Sequence, residues 1–314
     1  MSFVRYNTED SVISSETIVR GLWSGDNNTI TNFFTSSGYS EYYLDIYSTL
    51  LTTTGSSTQF DIQYGNLNGS GSTLINPLVN GYSPSRVVYG QYRNLVYGTE
   101  NVNFSFNNST VSNDIFVINI SRARYKESLL PGSFNLTLRS GSVITQLTDD
   151  SGTTNLTRFI GENRYFNIVS GSNGVGDTNN VFGFMFPDLN IVVLNISSSI
   201  SSSIPPSTST NNHLRLYNSI VSGSNFQLQS QETVSSRYFF TRVKNSDFNY
   251  TTNPSIIDDN GNILYTTLIN NPQTFITTVG MYNDNNELLA VAKLSKPLTK
   301  DFTKEALIRI KLDY

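Results

Sequence analysis

A rhythm constrains this chain more than anything else in it. Short apolar runs, rich in β-branched and aromatic residues, alternate with clusters of Gly, Ser, Asn and Asp. The runs fall at 33–34, 42–47, 60–64, 87–89, 102–106 and 115–120, and continue at 134–138, 165–169, 181–186 and 191–196. Alternation and β-branching suit a half-buried pleated surface, and the Asn- and Gly-rich breaks supply the backbone that tight reversals need. No helical pattern long enough to build βαβ crossovers lies between the runs, so the strands must pair antiparallel. The expected fold is all-β or mainly β: an antiparallel β-sandwich or barrel-like domain over 1–200, then a smaller C-terminal domain over 213–314 that is mainly β or α+β.

The boundary is expected at 197–212, where six of the first seven residues are Ser and Pro205-Pro206 follow. Such a mixture neither packs nor continues a ladder, which marks a linker or a long surface loop. Beyond it, 226–243 places Leu228, Val234, Tyr238, Phe239 and Val243 at spacings partly compatible with a helix. Runs at 274–282 and 287–294 flank Asn283-Asp284-Asn285-Asn286 and predict a hairpin. The segment 306–314 alternates Ile308, Ile310 and Leu312 with Arg309, Lys311 and Asp313, a strand with one wet face.

At 314 residues the chain exceeds what one hydrophobic core usually serves, which also favours two domains. Only 14% of residues are charged, yet there are 19 Phe and 18 Tyr, far more apolar bulk than a disordered chain carries. A net charge of −4 with no basic face argues against nucleic-acid partners. The absence of Cys removes disulfides, thiolate metal sites and thiol nucleophiles together, and a single His leaves zinc without its usual ligands. Glu9 and Asp10 stand where a signal peptide would have its apolar core, and no run of about 18 apolar residues occurs. The expectation is a protein made in a cytoplasm, without a secretory leader and without a membrane partner.

Catalytic chemistry is hard to place. His213 adjoins the Ser/Pro-rich segment, a poor setting for a base that must be held rigidly by a third group. Glu41 and Asp45 share one run, whereas Asp149-Asp150 and Asp258-Asp259 are adjacent pairs whose side chains should point to opposite sides, which favours turn chemistry over a dyad. Asp258-Asp259-Asn260-Gly261-Asn262 lacks the downstream Glu of a helical calcium loop and reads as a hairpin turn. The glycines at 69–71 and 171–176 lack the Lys-Ser/Thr of a phosphate loop. Trp23 is expected as a buried anchor. No cofactor, metal or catalytic residue is assigned.

Charge concentrates in one place. Arg122, Arg124, Lys126 and Glu127, with Tyr125 among them, run into Leu129-Leu130-Pro131-Gly132 and then the strand-like 134–138. Two uses fit: an Arg–carboxylate clamp fixing a crossover inside the domain, which is the simpler, or an intersubunit contact. A second group, Tyr82, Arg86, Tyr89, Tyr92, Arg93 and Tyr97, has the aromatic and Arg enrichment of an interface. It equally suits half-buried sheet residues with wet hydroxyls.

The 120–138 stretch resembles a motif of virion structural proteins from marine contractile-tailed phages related to the T-even group. Three other stretches look similar to that family: Ser83-Pro84-Ser85-Arg86 with 89–95, then 275–284, and 288–297. Most of the chain is covered, with 197–212 the least similar part. The resemblance implies a non-enzymatic tail or baseplate subunit of wedge type, located in the virion, whose partners are other virion proteins in a symmetric multi-subunit assembly. A capsid or neck protein is the alternative within that class. A carbohydrate-binding or depolymerising tailspike-like module is the alternative outside it.

Overall fold

The structure is a computed structural model and describes residues 5–36, 42–50, 56–72, 76, 82–106, 110–195, 212–251 and 253–314. In chain order the first half contains β1 (Ser11–Gly21), β2 (Thr29–Ile30), β3 (Phe34–Thr35), β4 (Tyr43–Tyr47), β5 (Thr58–Asn66), α1 (Ser85–Tyr97), β6 (Ser105–Phe106), β7 (Thr110–Val111), β8 (Asp114–Ile120), β9 (Ser128–Leu129), β10 (Asn135–Ser140), β11 (Val143–Asp149) and α2 (Ser151–Thr154). The second contains β12 (Arg158–Ile160), β13 (Asn163–Ser172), β14 (Val175–Asp177), β15 (Gly183–Phe186), β16 (Ile191–Asn195), α3 (Asn212–Gly223), β17 (Phe226–Gln227), β18 (Gln229–Val243), α4 (Thr266–Asn270), β19 (Thr274–Tyr282), β20 (Leu288–Lys300) and β21 (Ala306–Asp313). With 48% strand and 13% helix, the mainly β expectation holds.

The chain divides into two compact units, 17–232 and a second made of 1–16 with 233–314. The boundary expected at 197–212 therefore moves to 232/233, and residues 197–211 lie outside the described ones. The physical reason is burial. Leu216 and Ile220 of α3, with Phe226 and Leu228 after it, are part of the same core as the N-terminal strands, so no break follows the Ser/Pro-rich segment.

The 17–232 unit is built on a 13-stranded sheet whose main path runs β2-β17-β10-β11-β13-β15-β16-β8-β5-β4-β3, with β12 and β14 on β13. Each pairing along that path is antiparallel. The two ends of the path, β2 and β3, are separated in the chain by residues 31–33 alone, a span of roughly 10–13 Å at full extension. The sheet must curl to bring its ends together, and it forms a half-barrel.

Strand alternation then sorts the apolar residues. On β8, Phe116, Ile118 and Ile120 enter one core while Ile115 and Val117 enter another; on β16, Val192 and Leu194 part from Ile191 and Val193 in the same way. Strands buried on both faces read as continuous apolar runs, which is why these two were legible. The first core fills the curl, where Phe226 lies 4.9 Å from Trp23, 5.3 Å from Phe60 and 5.7 Å from Phe134, ring centre to ring centre. Trp23 is the buried anchor expected, and its Nε1 donates to the Phe226 carbonyl at 3.1 Å.

The second core lies under α1. The run at 87–89 was expected as a strand, but Ser85, Val88, Tyr89, Tyr92 and Val96 recur at helical spacing and are the buried stripe of α1, closed by Gly98 in the left-handed conformation. Gly65 of β5 lets this helix approach, since a Cβ there would sit 2.9 Å from the Tyr89 backbone. The partly helical expectation for 226–243 also fails. Most of the segment is β18, with Ser236–Val243 laddered onto β21 and Ser230–Gln231 onto β9, so tertiary pairing overrides a weak helical spacing.

The other unit has a hairpin, β19 with β20, and β21 laddered on β18. Its core is thin. Of 44 buried apolar side chains among the described residues, only Phe239, Val243, Ala306 and Ile308 belong to it.

Candidate functional site

The charged junction leaves β8 through a turn in which Arg124 N–H donates to the Ser121 carbonyl at 2.9 Å. Arg122 folds back on its own turn, donating to the Tyr125 carbonyl at 2.8 Å with its guanidinium 4.9 Å from the Tyr125 ring centre. Arg124 reaches a distant loop and donates to Ser24 Oγ at 2.7 Å. Gln59 secures the same serine, its Nε2 donating to Ser24 Oγ at 2.7 Å and its Oε1 accepting from Ser24 N–H at 3.0 Å. Tyr125 is half-buried against the first core, and Lys126 and Glu127 are exposed. Among the described residues neither arginine pairs with a carboxylate, and the two bind a carbonyl and a hydroxyl instead; nothing in the sequence could say which oxygen would come within reach.

A clamp of that kind exists further along. Asp149 and Asp150 serve turns, as expected of the pair, but both are fully buried. Asp149 accepts from Gly132 N–H at 2.9 Å, from Ser151 N–H at 3.2 Å and from Phe134 N–H at 3.4 Å, so it fixes the Pro131-Gly132 turn that ends the charged stretch. Burial pushes its carboxyl above the usual carboxylate range, against the pull of those donors. Asp150 takes an ion pair from Arg158 at 2.9 Å and accepts from Asn167 N–H at 3.0 Å. The two carboxylates hold separate partner sets, Asp149 at the end of β11 and Asp150 at the start of α2, so they form no dyad. Their burial had no sequence signal beyond the pair itself.

The second group of expected site residues separates by face. Tyr89 and Tyr92 are core residues of α1, so neither the interface nor the wet-sheet reading holds for them. Tyr89 Oη donates to the Ser112 carbonyl at 2.9 Å and accepts from Phe104 N–H at 3.1 Å. Arg93 lies along Tyr89 and donates to Asn103 Oδ1 at 2.7 Å. Tyr97 is half-buried at the rim of the second core, while Arg86 and Tyr82 are exposed. What α1 offers to solvent is Arg86, Val87, Gln91, Asn94 and Leu95.

Acid–base chemistry has one geometric candidate that the sequence did not suggest. Asp45 of β4 stands opposite Asp61 of β5 in register, while Glu41 lies outside the described residues. Burial raises the Asp61 pKa, with Asp45 a smaller contribution in the same direction. Both Asp61 oxygens are engaged, by Gln63 Nε2 and by Asn119 Nδ2 at 2.8 Å each. Burial and the Asp61 charge likewise push the neighbouring Tyr92 hydroxyl well above its ordinary range. His213 is buried near the start of α3, where desolvation lowers its pKa to about 4 and leaves Nε2 unpartnered. Asp258 closes a turn by accepting from Asn260 and Asn262 N–H, as expected. Among the described residues no three His, Asp or Glu side chains converge to hold a metal, and no helix is long and apolar enough to cross a membrane.

Apolar exposure is the feature that sequence reading missed. In the second unit Phe275, Leu288, Leu289, Val291, Leu307 and Tyr314 are each more than half exposed. They sit on the hairpin and on or just beyond β21. The signal was present in the consecutive apolar residues at 288–292, which place apolar side chains on both faces of a hairpin whose strands pair only with each other among the described residues.

Comparisons with protein-family models, with characterised proteins and with solved structures gave no match.

Proposed function

We propose that this chain is a non-enzymatic structural subunit of a contractile-tailed phage virion, placed in the tail or baseplate as a wedge-type component and working through multivalent protein–protein contacts. It is made in the host cytoplasm and resides in the virion. One observation carries the assembly role: the unit of 1–16 and 233–314 buries four apolar side chains and exposes a larger set on β19, β20 and β21. A unit with so little core needs disulfides, a metal or a partner. The chain has no cysteine, and no metal cluster occurs among the described residues, so a partner remains. The virion and baseplate assignment rests on the resemblance of the 83–95, 120–138, 275–284 and 288–297 stretches.

The test is mass spectrometry of purified virions with electron microscopy of particles labelled on this chain. Label on the baseplate or tail is expected, and label confined to the head would move the assignment to capsid or neck. Among the described residues, the facing Asp45 and Asp61 are what gives the depolymerase alternative a geometric footing. Incubating the protein with host polysaccharide is expected to leave chain length unchanged; shortening that disappears in Asp61→Asn would overturn the non-enzymatic reading.

A further inference from the structure

The thin-cored unit contains an open groove of about 340 Å³. One wall is 292–296 of β20 and the other is 308–311 of β21, with Val279 of β19 also contributing. Two backbone features shape it. Between Ile276↔Leu298 and Thr278↔Lys293, Thr277 alone on β19 faces 294–297 on β20, a large bulge that pushes Leu294, Ser295 and Lys296 out of the ladder. In addition, β21 pairs only with β18 among the described residues, so alternate backbone N–H and C=O groups along its second edge lack a strand partner.

The lining is cationic on an otherwise acidic chain. It includes Lys293, Lys296, Arg309 and Lys311, and no carboxylate. Asp313 pairs with Lys311 at 3.0 Å, and Arg309 lies 5.6 Å from the Tyr238 ring centre. Lys293 and Lys296 are exposed and enter none of the ion pairs among the described residues. Between the cations lie Val279, Ala292, Leu294, Ile308 and Ile310.

We propose that this groove receives an extended acidic segment of a neighbouring protein, which adds as a strand to the free edge of β21 and sets its carboxylates against Lys293, Lys296 and Arg309. The proposal rests on the assembly role and names the chemistry of one contact. Strand addition supplies main-chain hydrogen bonds, and alternate side chains supply specificity. A phosphodiester backbone cannot complete a β-ladder, and four cations fall short of the basic stripe that nucleic acid requires, so a peptide is favoured over a polyanion.

The full chain would be titrated, by fluorescence anisotropy, with a labelled peptide of about eight residues alternating Val with Asp or Glu. Its Asn/Gln counterpart, an acidic version N-methylated at alternate amides, and a single-stranded oligonucleotide serve as comparisons. Saturable binding of the acidic peptide is expected. It should weaken by about tenfold in the neutral peptide and in Lys293→Gln/Lys296→Gln, and at raised salt. The N-methylated peptide should not bind, and the oligonucleotide should not displace the acidic one. No saturable binding, equal binding of neutral and acidic peptides, or displacement by the oligonucleotide would overturn the proposal. So would unchanged peptide binding by a double variant that now self-associates, because the lysines would then serve only to guard a bare edge. The peptide series needs no variant, so it decides the matter even if the double variant folds poorly. A chain absent from virions that still binds the peptide would end the virion role alone; a chain present in virions that binds no peptide would end the groove alone.

Discussion

His213→Leu should flatten the response of this protein to acid. The imidazole is 4% exposed, its Nε2 has no hydrogen-bond partner, and burial lowers its pKa from 6.5 to about 4. In the folded state it is neutral across the window in which the unfolded chain takes up a proton. The unfolded state therefore binds more protons between those two values, and stability falls as pH drops through 6.5 towards 4. The loss reaches about 2 kcal/mol near pH 5 and about 3 kcal/mol below both values. Asp61 and Asp149 act in the opposite sense, because their folded pKa values are raised and they hold protons better folded than unfolded. The parent profile mixes these slopes, and the difference between parent and His213→Leu isolates the histidine. Trp23 is the only tryptophan and shares a core with Leu216 and Ile220 of α3, so its fluorescence during urea unfolding reports the unit that holds His213. At neutral pH the variant should lie within about 1 kcal/mol of the parent, since Leu fills the site without an unpartnered nitrogen. At about pH 5 the parent should have lost about 2 kcal/mol more than the variant. Parallel profiles over that range would refute the buried neutral imidazole.

Asp149→Ala should cost about 2–4 kcal/mol in the same assay, because it orphans the amides of Gly132, Phe134 and Ser151 together; a loss below about 1 kcal/mol would mean that water replaces the carboxylate. Gly65→Ala should lower the thermal midpoint by several degrees, about 2 kcal/mol, since the new Cβ meets the Tyr89 backbone at 2.9 Å and α1 must shift away; an unchanged midpoint would show that β5 and α1 are not in close contact. Arg124→Ala should destabilise the isolated chain by about 1 kcal/mol through loss of the Ser24 bond, and Arg122→Ala by less than about 0.5 kcal/mol, as its partners lie within its own turn. An Arg122→Ala chain that folds normally but fails to enter virions would assign that exposed side chain to a contact with a neighbour.

Legibility in the sequence tracked how far each element's burial depends on its own residues. The strands at 115–120 and 191–195 announced themselves because both faces are buried and every position but Asn119 and Asn195 is apolar. Helix α1 was misread although its stripe was visible, since Val87, Val88 and Tyr89 have strand propensity and the helical period shows only when Tyr92 and Val96 are counted with them. The domain boundary was placed by composition, which marks where a chain does not pack. Whether a domain ends there depends on where the next apolar residues go, and Leu216, Ile220 and Phe226 return to the first core.

The same distinction separates the two candidate sites. Charge drew attention to Arg122 and Arg124, yet the ion pair of the buried Asp150 with Arg158 lies where the local sequence offers only Asp149-Asp150 and the turn Ser151-Gly152-Thr153-Thr154. A charged residue in sequence says that a partner is needed, and only the fold says which one. Exposed apolar residues invert the problem. Leu288, Leu289 and Val291 look like ordinary strand residues, and they become informative only because β19 and β20 form a two-stranded sheet with both outer edges unpaired among the described residues. Such a hairpin is marginal on its own in water. Unpaired edges beside a cationic groove, in a unit with four buried apolar side chains, therefore make the second unit, rather than the well-packed half-barrel, the part of this chain on which the proposed partner contact rests.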